Sequence, residues 1–307
     1  MERHNRSVAE SVVAQIVCVV PGDGFTLLNS RFKPAQTPDA AVYLGERRGS
    51  LPPKGPVPLR HADLAARFAA IPDGEALAVL TFANQYGLLG LLGDGPDGPT
   101  PVGIERLSDW REAIWKVRSA IELVEAARDP NSHARLRGYF DGSEKARVGP
   151  YRGIRFTGPN GEDDFIASSA PEWSAAYQAL DKRPRDLAWI FAMRALDRGL
   201  KAHTAAKVVL TREGGRLTGA ALRLAPVSLL GAIWVQVGWL AEGAVERRRC
   251  ALPRCRRVFV VDGGAGRSTA GGRGAKTTCS GACRTALSRA RAARKRKRSK
   301  PRSKPRS

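Results

Sequence analysis

The chain has 307 residues, 43% of them hydrophobic, which is enough for one large domain or two modest ones with a proper core. Its formal net charge is +22, and the charge is unevenly placed: of 51 Lys/Arg and 29 Asp/Glu, 21 and 2 fall in residues 246–307, leaving 30 and 27 in residues 1–245. The polar start M-E-R-H-N-R-S, and an apolar run at 12–20 that meets Pro-Gly-Asp rather than a small-residue cleavage site, set aside a disulfide-bonded secreted protein. A nearly neutral body with a polycationic end expects a polyanionic partner, nucleic acid ahead of an anionic membrane surface.

Taken in order, residues 8–20 fit a β-branched strand or a short buried helix, with Cys18 as a small buried hydrophobe, and Pro21-Gly22-Asp23-Gly24 is a turn. Residues 34–60 read as irregular surface around one short strand, A-V-Y-L-G. His61-Ala62-Asp63 opens a helical pattern to Ile71. Pro72-Asp73-Gly74 interrupts it, and residues 76–90 resume a helix that closes at Gly87. Gly93 to Pro101 is a loop. Residues 103–128 give the clearest helix, because Trp110, Ile114, Val117, Ile121 and Val124 recur at three- and four-residue steps, with Trp115 off that stripe. A hairpin is expected over 148–168 around Gly158-Pro159-Asn160-Gly161, with Glu162-Asp163-Asp164 exposed beside its turn. Pro184 precedes a helix over 186–200, and a second hairpin spans 206–224. Residues 225–241 are uncharged and apolar nearly all round. At 17 residues, with Pro226, Ser228, Gln236 and two glycines, they read as a buried core helix rather than a membrane span.

The chemistry gathers at the C-terminus. Cys250 and Cys255 form C-A-L-P-R-C, and Cys279 and Cys283 form C-S-G-A-C, with 23 residues between the pairs. Two close pairs bridged by a loop are how a small fold builds a tetrahedral four-thiolate Zn²⁺ site, so one Zn²⁺ per chain is expected, redox sensing being the alternative use of these thiols. Pro253 is expected to stiffen the first turn and Gly281 to relax the second. The Gly-rich run at 263–274 lacks the order of a phosphate-binding loop. After Cys283 a helix without acidic residues runs to Arg298, with Arg284, Ser288, Arg291, Lys295 and Arg298 on one stripe and Arg289, Arg294, Arg296 and Lys297 widening the basic belt. Arg284 and Ser288 are the candidates for base reading, the later residues for phosphate contact. S-K-P-R-S-K-P-R-S closes the chain as a disordered basic tail.

Cysteine pairs, Phe259 shortly after the first pair, C-S-x-x-C entering an Arg-rich helix, and the C-terminal position together resemble the CGNR-type zinc fingers of bacterial transcription regulators. More loosely they resemble treble-clef fingers. Cys283-Arg284-Thr285-Ala286 stands where that family carries its signature tetrapeptide. The resemblance implies a DNA-binding finger preceded by a larger regulatory domain.

The four histidines, His4, His61, His133 and His203, are scattered, and neither a metalloprotease, deaminase, nucleophile-elbow nor dinucleotide-binding pattern occurs. The expectation is therefore a non-enzymatic α+β protein. Residues 1–245 form a mostly helical globular domain with short β-hairpins, 246–298 the four-cysteine finger with its basic helix, and 299–307 the disordered tail. It is expected to be a cytoplasmic, nucleoid-associated DNA-binding regulator with no membrane contact. RNA binding by the same finger, or a ligand-binding or enzymatic body with a localising tail, are the alternatives.

Overall fold

The computed structural model describes residues 17–20, 25–31, 33–38, 41–46, 54–58, 63–73, 75–91, 94–95, 98–99, 103–141, 147–148, 151–157, 163–180, 183–213, 216–243, 245–255, 258–262 and 277–299. The fold is α+β, with every strand pairing antiparallel. The chain divides into two compact units, Met1–Gly238 and Trp239–Ser307. Among the described residues no helix is long and apolar enough to cross a membrane. The turns expected at 21–24 and 158–161, the Gly-rich run at 263–274 and the tail after Ser299 lie outside the described residues.

In the first unit, β1 (Val17–Val20) pairs with β4 (Lys54–Pro58), while β2 (Phe25–Leu28) and β3 (Tyr43–Glu46) form two strands of a three-stranded sheet. Helices α1 (Leu64–Ala69) and α2 (Ala76–Tyr86) follow. Past the two-residue strands β5 (Asp94–Gly95) and β6 (Gly98–Pro99), β7 (Ile104–Arg106) completes the sheet on β3. Residues 103–106 were expected to begin the long helix. They extend instead, because Ile104, Glu105 and Arg106 sit opposite Gly45, Leu44 and Tyr43 in the ladder, and sheet pairing overrides local helical preference.

Helix α3 (Leu107–Arg128) is the spine of this unit. Its stripe of Trp110, Ile114, Val117, Ile121 and Val124 is buried, each residue at 1% exposure or less. It ends where Asp129, held extended before Pro130, leaves helical geometry. Trp110 packs with Phe68 and Phe82, ring centroids 6.1 Å away in each case, and Phe82 packs on Tyr86 at 4.6 Å. Arg118 reaches from α3 to the end of α1, where its Nε donates to the Ala69 carbonyl at 2.8 Å, its Nη2 to the Ile71 carbonyl, and its Nη1 to the Asp73 carboxylate at 2.6 Å. These bonds satisfy carbonyls that the short helix leaves open.

The longest of the remaining helices packs against α3. Beyond α4 (His133–Arg137), strands β8 (Phe140–Asp141), β9 (Arg147–Val148), β10 (Tyr151–Thr157) and β11 (Asp163–Ala167) form a small sheet, and Phe140 and Phe156 from it meet Phe191 at 5.5 and 5.7 Å. After α5 (Trp173–Ala179) comes α6 (Pro184–His203), opened by Pro184 at the first helical position, where a missing N–H costs nothing. The long hairpin β12 (Thr204–Glu213) and β13 (Arg216–Pro226) leads to α7 (Leu229–Glu242). The division between the two units falls inside α7. Residues 229–237 are all buried, as expected of a core helix. Gln236, the polar residue among them, accepts from the Ala65 N–H at 2.9 Å. Gly199 lets α6 approach α7, since a Cβ there would stand 2.3 Å from the Trp234 ring.

One buried carboxylate ties these parts together. Glu105 is 3% exposed, and its Oε2 accepts from Leu89 N at 3.0 Å and Trp110 Nε1 at 2.7 Å, while Oε1 accepts from Gly90 N at 2.6 Å and Leu91 N at 2.8 Å. Burial pushes its pKa up, and the four hydrogen bonds oppose that rise. The loop it holds accepts Leu230 N on the Leu89 carbonyl at 3.1 Å. Gly90 has φ +80°, and a Cβ there would meet Ser228 Cβ at 2.7 Å, so both backbone and space demand glycine.

Candidate metal centre and basic helix

The second unit carries the cysteines. Strands β14 (Val245–Arg249) and β15 (Val258–Asp262) pair with Arg249 opposite Val258, so Cys250 and Cys255 occupy the connection at the end of the ladder. That connection turns tightly, with Cys255 N donating to the Leu252 carbonyl at 2.9 Å. Ala251 N donates to the Thr277 carbonyl, also at 2.9 Å, which brings the second cysteine segment alongside the first. Cys279 lies just before helix α8 (Gly281–Ser299), and Cys283 lies in its first turn.

Four sulfurs converge. All Sγ atoms of Cys250, Cys255, Cys279 and Cys283 lie within 4.8 Å of one another. The Cys255–Cys279 and Cys279–Cys283 separations are 3.5 Å, and Cys283–Cys255 is 3.6 Å. A tetrahedron of sulfurs about 2.3 Å from a central ion has edges of about 3.8 Å, so Cys255, Cys279 and Cys283 stand within a few tenths of an ångström of that geometry, with Cys250 close enough to complete the set. A disulfide would need about 2.05 Å, and all four thiols are free. Cys250 is buried and the other three half-buried, so the cluster is shielded on one side and reachable on the other.

No family model, curated protein or solved structure matches the chain.

Thiol acidity in the cluster is split. Hydrogen bonding from the Cys279 backbone N–H pulls Cys250 down to about 7 against its burial, whereas burial and the neighbouring sulfurs push Cys279 up to about 12. Without a cation the four sulfurs cannot all ionise at such range, because each new thiolate meets the charge of the last. A dication removes that conflict, so metal uptake and proton release go together.

Helix α8 starts on a cap that the cysteine spacing conceals. Ser280 Oγ accepts from Cys283 N at 3.2 Å, and the Ser280 carbonyl accepts from Arg284 N at 3.1 Å. Ser280 is thus the N-cap, fixing the turn that carries the second pair. Gly281, expected to relax this turn, is an ordinary helical residue. Its φ is not positive, and the nearest atom to an added Cβ would be Arg284 Nη2 at 3.9 Å.

From Gly281 to Ala292 only Cys283 and Leu287 are even half-buried. Arg284, Ser288, Arg289 and Arg291 are exposed, and so are Ala286, Ala290 and Ala292. Arg294, Lys295, Arg296, Lys297 and Arg298 continue the same helix. The expected basic helix is present from Gly281 to Ser299, two residues longer at its start and one at its end than the span read from sequence. Ser280 and Thr277 are the positioning residues not singled out there. The signal for Ser280 was available, since it stands three residues before Cys283, the cap-to-N3 spacing.

Proposed function

We propose that this chain is a zinc-dependent nucleic-acid-binding protein whose preferred target is duplex DNA. Cys250, Cys255, Cys279 and Cys283 would hold one Zn²⁺, which supplies a fixed point for the start of α8 and no reaction chemistry. Arg284 and Ser288, nearest the pinned end, would face base edges, and the cationic residues from Arg289 to Arg298 would meet phosphates. The role in the cell would be transcription regulation at the nucleoid.

The observation carrying this reading is the meeting of four free sulfurs at the base of a helix that is exposed from Ser288 to Ala292 and carries Lys and Arg to Arg298. A helix kept for packing would cover its alanines, and this one leaves Ala286, Ala290 and Ala292 bare. The charge alone would suit any solvated surface, but a cluster with metal-site spacing at the helix start gives the charge a shape.

The test pairs metal content with binding. Wild type should carry about one zinc per chain, bind a duplex, and lose both in Cys279→Ser. If about eight phosphates are met, log K against log salt should have a slope near −7. A metal-free preparation that binds as tightly, or a flat salt response, refutes the reading. Structured RNA winning the competition at fixed salt would transfer it from DNA to RNA.

A further inference from the structure

A cavity of about 730 Å³ lies beside the packed helices α3 and α6, within the range of about 300–1,000 Å³ usual for small-molecule sites. Every residue lining it falls between Leu91 and Trp234, inside the first unit. The cavity has two unlike ends. Arg185 Nε donates to the Ala127 carbonyl at 2.7 Å, and Arg128 lies 5.7 Å over the Trp189 ring, so the start of α6 meets the end of α3 and the two helices run antiparallel. Leu123 and Phe191 therefore share the apolar end with Phe156. At the other end Asp109, Glu112 and Lys116 of α3 face Arg198 and His203 of α6, with Trp115 and Trp234 in the wall.

The sign of the charged end follows from its pairings. Lys116 Nζ lies 2.5 Å from Glu112 Oε1, and Arg198 Nη1 lies 3.2 Å from Asp164 Oδ1, so both lining cations already hold a carboxylate. Asp164, expected on open surface, is instead half-buried through that pairing. His203 sits 3.5 Å from the Ser228 hydroxyl, and burial together with nearby Lys116 lowers its pKa, so it is uncharged at neutral pH. Asp109 accepts from the Ser108 hydroxyl at 3.1 Å and has no basic partner among the described residues. One negative charge is left unbalanced in a cavity whose wall includes the rings of Trp115 and Trp234.

We infer that this cavity is a binding site for a lipophilic organic cation, such as a protonated or quaternary amine or a phosphonium. Its charge sits by Asp109, and its apolar body lies along Trp115 and Trp234 and fills the Leu123–Phe191 end. An organic anion is disfavoured because Glu112 and Asp164 already balance the charge of the two lining cations. The inference does not rest on the metal reading, since no cysteine lines the cavity.

The test titrates the full chain with tetraphenylphosphonium and with its near-isosteric anion tetraphenylborate, following heat and tryptophan fluorescence. Because the cationic end of the chain attracts anions, cavity binding is taken as the part lost in Ala195→Trp, which fills the cavity from α6. The expected result is cavity binding of the phosphonium at least about tenfold tighter than the borate. Asp109→Asn should abolish that preference with an unchanged melting temperature, and Cys279→Ser should retain it. No phosphonium binding in the cavity, tighter borate binding there, or a preference that survives Asp109→Asn overturns the inference.

Discussion

Glu105→Gln tests how the first unit is held together. The side chain keeps its size and one accepting oxygen, but the other oxygen becomes an amide nitrogen. Whichever way the amide turns, that nitrogen faces two donors: the buried Leu89 N and Trp110 Nε1, or the part-buried Gly90 N and Leu91 N. Leaving a buried donor unpaired costs about 1–3 kcal/mol, and the amide turns its nitrogen to the part-buried Gly90 and Leu91 pair, where each donor costs toward the low end of that range. Removing a desolvated charge offsets part of this, and the expected net loss is about 1–2 kcal/mol. Urea unfolding followed by tryptophan fluorescence at pH 7 would measure it, and wild-type stability within about 0.5 kcal/mol would refute the account. The pH dependence adds a signed check. Burial raises the folded pKa of Glu105 above the ordinary 4.5, so between those values the native state binds more protons than the unfolded chain. Wild-type stability from this residue is then largest below 4.5 and declines as pH rises through the folded value. The gap to the Gln variant should therefore widen as pH falls through that window. A gap that narrows would mean that the four hydrogen bonds outweigh burial.

Two further outcomes concern α8. Ser280→Ala removes the acceptor for Cys283 N and should cost about 1 kcal/mol of local helix stability, seen as faster amide exchange in the first turn of α8 with the rest of the chain unchanged. Chelation of bound metal should lower helicity by circular dichroism and Zn²⁺ should restore it; unchanged ellipticity would show that α8 does not depend on the cluster.

The sequence displays what repeats and conceals what meets across distance. The α3 stripe was legible because five apolar residues recur at helical spacing, and the hairpins at 151–167 and 204–226 because β-rich runs flank turn residues. The cysteine cluster was legible because its ligands come as two short-range pairs. Helices α4 and α5 escaped notice, since five and seven residues are too few to show a period. Glu105 looked like one acid among many, because its partners lie 14 to 16 residues upstream, with Trp110 five downstream. The cavity is assembled from α3, α6, α7, the small sheet and the loop at Leu91, and no local pattern announces such a meeting. Trp115, off the main stripe, was a trace of it: a second face of α3 with its own work.

The energetics of α8 explain why metal and polyanion belong together on the proposed reading. Arg291 and Lys295, and Arg294 and Arg298, stand four apart, and like charges at that spacing cost a few tenths of a kcal/mol per pair. Alanine propensity helps, but among residues 281–292 tertiary cover stops at Leu287. Among residues 281–292 the stabilising contacts are thus concentrated in the first two turns, where the Ser280 cap, the second cysteine pair and Leu287 sit, while the like charges at four-residue spacing fall beyond them. A metal ion would strengthen the first part and phosphates would relieve the second. Neither can substitute for the other, because they act on different turns of one helix. Metal loss should therefore weaken nucleic-acid binding even though no cation of the binding face is removed, and high salt should weaken binding without releasing the metal.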